Sequence, residues 1–198
     1  MSNAGGFKSL NRYYDMLAGN TTWNPWSPDG AYDSLATVTV PSGGLASITF
    51  AGIPNTYKHL QIRFLTRSTR SATSSNIYIG FNGDTTTGNY YGHMIEGNGS
   101  SASAAAKIGS TTSFMSATSA ASNTSGIFSG GVIDILDYAN TSKNKTSRGL
   151  SGYDANGSGL IYLASGLWMN TAAINSVEIT DPLGNFAQNS QFALYGVK

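Results

Sequence analysis

Ten carboxylates, two histidines and no cysteine bound the acid–base and thiol chemistry open to the 198 residues. General acid–base catalysis needs a positioned histidine or a pair of carboxylates. Asp134 and Asp137 are the nearest pair, but their spacing within one predicted strand puts them on opposite faces, a poor arrangement for glycoside cleavage. His59 and His93 are isolated, with no His-x-x-x-His or His-x-Glu pattern. The chain contains no Gly-x-Ser-x-Gly elbow, no dinucleotide fingerprint and no phosphate-binding Gly-Lys-Ser/Thr. Without cysteine there is no disulfide, thiol nucleophile or Cys-based zinc site. The expectation is a protein that is not an enzyme and carries no cofactor.

Two binding chemistries remain. Asp154, Asn156 and Ser158 set oxygen-bearing side chains at alternate positions, followed by Gly159, like the opening of a calcium loop. The position where such a loop closes with a glutamate is Ser165, and Asn156-Gly157 also reads as a simple hairpin turn. Exposed aromatic rings stack on the apolar faces of sugars. Tyr90, Tyr91, Tyr153, Tyr162 and Trp168 are available, with Tyr90, Tyr91 and Tyr153 the candidate ligand or receptor contacts.

Eleven basic residues against ten acidic ones give a net charge of +1. Nucleic-acid binders gather a basic excess on one face. Here Arg63, Arg67 and Arg70, and further on Lys143, Lys145 and Arg148, form no dense cluster, so no nucleic-acid partner is expected. No run of 18 or more apolar residues exists, so no membrane insertion is expected. No charged stretch followed by an apolar one marks a secretory signal near Met1.

The elements that must position these residues are strands. Serine, threonine, asparagine and 24 glycines favour short strands and turns over long helices. Alternation at Leu60/Ile62/Phe64 and Ile77/Ile79/Phe81 has a period of two. Residues 35–40 and 46–50, separated by Pro41-Ser42-Gly43-Gly44, read as a hairpin, and Asn82-Gly83 as the turn of a second one. Residues 98–125 read as long surface loops holding one or two weak strands. In all, about nine to eleven strands are expected. The fold class is all-β: an antiparallel, jelly-roll-like β-sandwich over residues 31–198, with a closed barrel as the main alternative. Its expected core includes Ile48, Phe50, Leu60, Ile62, Phe64, Ile79, Phe81, Ile133, Ile135, Val177, Ile179 and Leu194.

Residues 1–30 differ. Phe7, Leu10, Tyr14 and Leu17 have helical spacing, and Pro25 and Pro28 then break any helix. Phe7, Tyr13, Tyr14, Trp23 and Trp26 need covering, because together they would expose an apolar patch larger than soluble monomers carry. They are the candidate interface or attachment residues of an N-terminal arm, and the protein is expected to be a homo-oligomer.

Phe50-Ala51-Gly52-Ile53-Pro54-Asn55-Thr56-Tyr57-Lys58-His59-Leu60-Gln61-Ile62-Arg63 resembles a pattern found in virion structural proteins of tailed bacteriophages. So do Phe81-Asn82-Gly83-Asp84 with Asn89-Tyr90, and Ile133-Asp134-Ile135-Leu136-Asp137-Tyr138 followed by Lys143-Asn144-Lys145-Thr146. Ser165-Gly166-Leu167-Trp168-Met169-Asn170-Thr171 and Phe192-Ala193-Leu194-Tyr195-Gly196-Val197-Lys198 complete it. The resemblance implies a non-enzymatic, surface-exposed component of a phage particle, of the tail-fibre or head-decoration type, localised to the virion and released by lysis. Its implied partners are other virion proteins, with a trimer expected by analogy with phage appendages. The alternative is a module that binds a host-surface glycan or receptor through its loops.

Overall fold

Period-two alternation becomes strand wherever one face can be buried. The computed structural model, which describes residues 30–198, contains twelve strands. They are β1 (Tyr32–Thr39), β2 (Ser47–Ala51), β3 (His59–Thr66), β4 (Ser74–Phe81), β5 (Tyr90–Gly97), β6 (Ala102–Ser110), β7 (Ser113–Ser119), β8 (Ser129–Leu136), β9 (Lys145–Asp154), β10 (Gly159–Trp168), β11 (Ser176–Thr180) and β12 (Gln191–Val197). Among the described residues there is no helix. The arm residues Phe7, Tyr13, Tyr14, Trp23 and Trp26 lie outside the described residues.

The strands form an eight-stranded sheet, β1-β12-β3-β8-β9-β10-β5-β6, and a four-stranded sheet, β2-β11-β4-β7. Every pairing between them is antiparallel. Without β5–β6 and β9–β10, the remaining eight strands are two sheets of four, β1-β12-β3-β8 and β2-β11-β4-β7. Along this framework the chain crosses to the opposite sheet at every step except from β4 to β7, which are neighbours in the smaller sheet, and the strands pair first with last: β1 with β12, β2 with β11, β3 with β8, β4 with β7. That is the jelly roll, an antiparallel ribbon rolled on itself. The hairpins β5–β6 and β9–β10 are inserted between framework strands, and both extend the larger sheet.

The core lies between the sheets. All twelve core residues expected from the sequence are buried, joined by Ile77, Met115, Phe186 and Phe192 among others. Phe192 lies against Phe64 and Phe186, with ring centroids 6.0 and 4.8 Å away. Burying such rings supplies about 1.5–3 kcal/mol each. Beside them, the buried Asp181 accepts hydrogen bonds from the Ser68 and Ser75 hydroxyls, the latter at 2.6 Å, and from Leu183 N–H at 3.0 Å.

Three local expectations are corrected. Residues 35–50 are not a hairpin: Pro41–Gly44 is a corner carrying the chain from β1 in one sheet to β2 in the other. Asn82 and Gly83 do form a tight turn with positive φ (53° and 66°), closed by Asp84 N–H donating to the Phe81 carbonyl at 2.9 Å. The turn does not return the chain beside β4, however, because Asn82 is tied to the start of β11. Its amide donates to the Ala173 carbonyl, and its oxygen accepts from the Asn175 and Ser176 N–H groups. Finally, residues 98–125 hold two full strands, and all seven residues of β7 are buried.

Candidate functional site

The residues singled out from the sequence do not converge. Tyr90 is fully buried in a cluster with Phe81 and Trp168, its ring stacked on each with centroids 6.2 and 6.3 Å away. Its hydroxyl accepts from Phe81 N–H at 2.9 Å, and burial pushes its pKa up to about 12. A ring that fills the core cannot contact a ligand, so Tyr90 is removed from the candidates. Trp168 is buried beside it, and its indole N–H donates to Asp84 at 2.7 Å. Tyr91 is half-buried, opposite Leu167.

Tyr153 is half-buried and reaches the Thr73 carbonyl at 3.4 Å. With Asp154 and Ser158 it borders a shallow depression of about 420 Å³ between the turns of the two inserted hairpins. The calcium candidates make up the β9–β10 turn: Asp154 Oδ1 accepts from Asn156 N–H at 2.8 Å, and Ala155 N–H donates to the Ser158 carbonyl at 2.6 Å. Asn156 and Gly157 take positive φ, as such a turn requires. Hairpin geometry accounts for this segment. Among the described residues no cluster of three or more His, Asp or Glu could hold a metal ion.

Several other ionisable groups are engaged within the protein. Asp134 accepts from Gln61 at 2.8 Å and from Arg148 at 2.9 Å. Asp137 is not in a strand with it but in the turn after β8, at positive φ, bonded to Lys143. That ammonium, more than burial can offset, holds the Asp137 carboxyl below its ordinary range. His59 Nδ1 accepts from Asp137 N–H at 2.9 Å. Arg63 lies between the Tyr32 and Tyr195 rings, and Arg67 caps the carbonyls of Asn123, Thr124 and Ile127. Lys145 is 1% exposed and donates to the carbonyls of Asn140, Lys143 and Thr171. Burial and the Lys143 charge lower its pKa.

A different site emerges from the insertion. Strands β9, β10 and β5 carry small inward-facing residues, Ser147, Gly149, Ala164, Gly166 and Gly92, over which β7 lies. A Cβ at Gly149 would come within 2.3 Å of the Met115 carbonyl, so only glycine permits that approach. With β7 held so close, Phe114 faces the inserted strands and packs on Tyr162 from one side and Tyr78 of β4 from the other, at 5.8 and 5.6 Å. Between β4 and the β5–β6 hairpin is a groove of about 260 Å³. Tyr78, Phe114, Tyr162 and Met94 form its walls, with Asn76 and Lys107 on its lining.

Lys107 Nζ sits 3.9 Å from the Tyr78 ring centroid, a cation–π contact. Among the described residues it pairs with no carboxylate, and the side chains of Asn76 and Tyr78 make no hydrogen bond. Burial, together with the nearby Glu96 carboxylate, pushes the Tyr162 pKa far up. Glu96 accepts from Ser103 at 2.8 Å. The groove is an apolar concavity with free polar groups aimed at it, the ordinary composition of a small-molecule site. Of its residues, Tyr162 and His93, which also lines it, stood out in the sequence. Phe114 carried a signal, as a large ring within a Ser/Ala/Thr stretch, that could have marked a buried strand.

The chain matches no protein-family model and no curated protein.

Proposed function

We propose that this chain is a non-enzymatic structural component of a tailed-phage virion, displayed on the particle surface as a tail-fibre-type or head-decoration protein. In this reading it is attached through residues 1–30, where Phe7, Tyr13, Tyr14, Trp23 and Trp26 make the interface. It assembles as a homo-oligomer, a trimer, with other virion proteins as partners. The observation that carries the reading is the jelly-roll order of β1, β2, β3, β4, β7, β8, β11 and β12, an architecture that recurs in viral capsid and lectin domains.

The segments that resemble phage virion proteins also support it, because they pack on one another. Tyr138 O–H donates to the Pro54 carbonyl, and Tyr57 N–H donates back to that hydroxyl at 3.4 Å. The Tyr57 ring covers Gly196, where a Cβ would lie 2.4 Å from it. These residues specify how β3, β8 and β12 are joined, which is a structural signature rather than a catalytic one. Immunogold labelling of gradient-purified particles tests the proposal. Label at a fixed place on head or tail is expected, as is its loss when residues 1–30 are deleted from an otherwise folded protein. Protein found only in the soluble lysate, never on particles, would overturn it.

A second reading, recognition of a host-surface glycan, is favoured by one observation: the groove between β4 and β5–β6, with its free Asn76, Tyr78 and Lys107 side chains.

A further inference from the structure

We propose that the groove between β4 and the β5–β6 hairpin binds a carboxylated pyranose, a sugar acid, with Lys107 pairing its carboxylate. The proposal rests on the glycan-recognition reading and names the ligand class and the residues.

Size is the first argument. Sites for drug-sized ligands run from about 300 to 1,000 Å³, whereas this groove measures about 260 Å³. It suits one ring-sized unit, and one of the strands that line it, β6, is the last strand of the sheet.

The lining is the second. Phe114, Tyr162, Met94 and the Tyr78 ring offer apolar surface to the C–H face of a sugar. Asn76 and Tyr78 are two residues apart on β4 and so share its outward face. A carboxamide both donates and accepts, as does a phenol, which matches neighbouring sugar hydroxyls. A flat aromatic ligand would leave these groups unpaired.

Charge is the third. Lys107 is half-buried and has the Tyr78 ring as its neighbour but no carboxylate partner. Glu96, the nearby acid, is not on the groove's lining and already accepts from the Ser103 hydroxyl. A ligand carboxylate completes the ammonium's hydrogen bonds. One lysine without an arginine fork or a row of backbone N–H groups suits a single carboxylate better than a phosphate.

The test uses the full chain and two matched probes, methyl β-D-glucuronoside and methyl β-D-glucoside, which differ only at C6. Saturation-transfer NMR and calorimetric titration are expected to show the glucuronoside binding about tenfold or more tightly than the glucoside, with a preference that shrinks as salt is raised. Lys107→Met is expected to abolish the preference, and Ala105→Trp, on the exposed hairpin at the groove mouth, to block both sugars. Tyr153→Ala, in the separate depression, is expected to change neither. Thermal melts establish that each variant is folded.

Equal binding of the two sugars by the native chain, unaltered by Lys107→Met, would overturn the sugar-acid assignment and leave glycan recognition standing. Binding that survives Ala105→Trp but fails in Tyr153→Ala would move the site to the depression and overturn the proposal. No binding of these probes or of a broad glycan array would sink both the proposal and the glycan reading. In that case the virion reading still stands or falls by the particle labelling.

Discussion

The two sheets meet in two different ways. Under β2, β11, β3 and β12 they are separated by Ile48, Phe50, Ile62, Val177, Ile179 and Phe192, large side chains that interdigitate. Under β7 the separation collapses. Ser147, Gly149, Ser151, Ala164 and Gly166 supply almost no volume, and the β7 backbone lies directly on β9 and β10. The first region excludes water with side-chain volume, the second with backbone proximity, and both are fully buried. Close packing is a matter of filled space, and serine and glycine can fill it when strands approach closely enough. The polar atoms this brings inside are mostly paired: the Ser116 hydroxyl donates to Ser151 Oγ at 2.7 Å, and the Thr118 hydroxyl to the Thr66 carbonyl at 2.9 Å.

The contrast can be broken from either side. Removing volume hurts the first region most: Ile62→Ala is expected to cost about 2–5 kcal/mol in urea unfolding, through lost burial and a residual cavity. Adding volume hurts the second: Gly149→Ala, pressed against the Met115 carbonyl, is expected to cost about 1–3 kcal/mol, although alanine is the better strand residue on an open surface. A Gly149→Ala protein as stable as the native one would mean that β7 and β9 do not approach as described. Ser151→Ala sharpens the comparison, with an expected loss of about 0.5–1.5 kcal/mol for the deleted hydrogen bond.

The smallest effect is a pH dependence at the edge of the volume-filled region, where Asp84 holds Trp168. Burial raises the Asp84 carboxyl, but hydrogen bonds from Asn89, the Thr86 backbone and Trp168 outweigh it and hold the group well below its usual value of 3.8. A carboxyl depressed in the folded state contributes stability that is whole above its unfolded pKa and is lost as pH falls through the folded one. Melting temperature measured from neutral pH downward is therefore expected to fall below about pH 4, and less steeply in Asp84→Asn. Asp137, also depressed, keeps part of the slope in that variant.

What the sequence made legible follows the same division. Ile, Phe and Leu at period two announced β3, β4 and the inter-sheet core, because apolar burial leaves an alternation that polar solvent faces interrupt. β7 was hidden, since a strand of Ser, Ala and Thr packed on glycine has the composition of a surface loop. Pairing was hidden as well: in a rolled ribbon a strand's partner lies far along the chain, so local turn signals at Pro41–Gly44 and Asn82–Gly83 suggested hairpins where there are corners. Tyr90 misled for a related reason. A tyrosine beside a turn looks exposed until the Phe81 backbone is seen to satisfy its hydroxyl in the core. The groove was legible only in fragments, because its lining comes from β4, β5, β6, β7 and β10, and no sequence window contains them together.

The pairing of β1 with β12 also determines how the domain bears force. Tyr32 faces Val197 and Asp33 faces Gly196, with Lys198 Nζ 3.0 Å from the Asp33 carboxylate. A pull between the residues before Tyr32 and those after Val197 therefore loads one rung of the ladder at a time, opening it as a zipper at low force. A pull between the start of β1 and the β5–β6 hairpin instead runs across the whole eight-stranded sheet. A tether at the amino-terminal side and a load at the groove would lie at opposite edges of that sheet, and the force would be shared by every ladder between them.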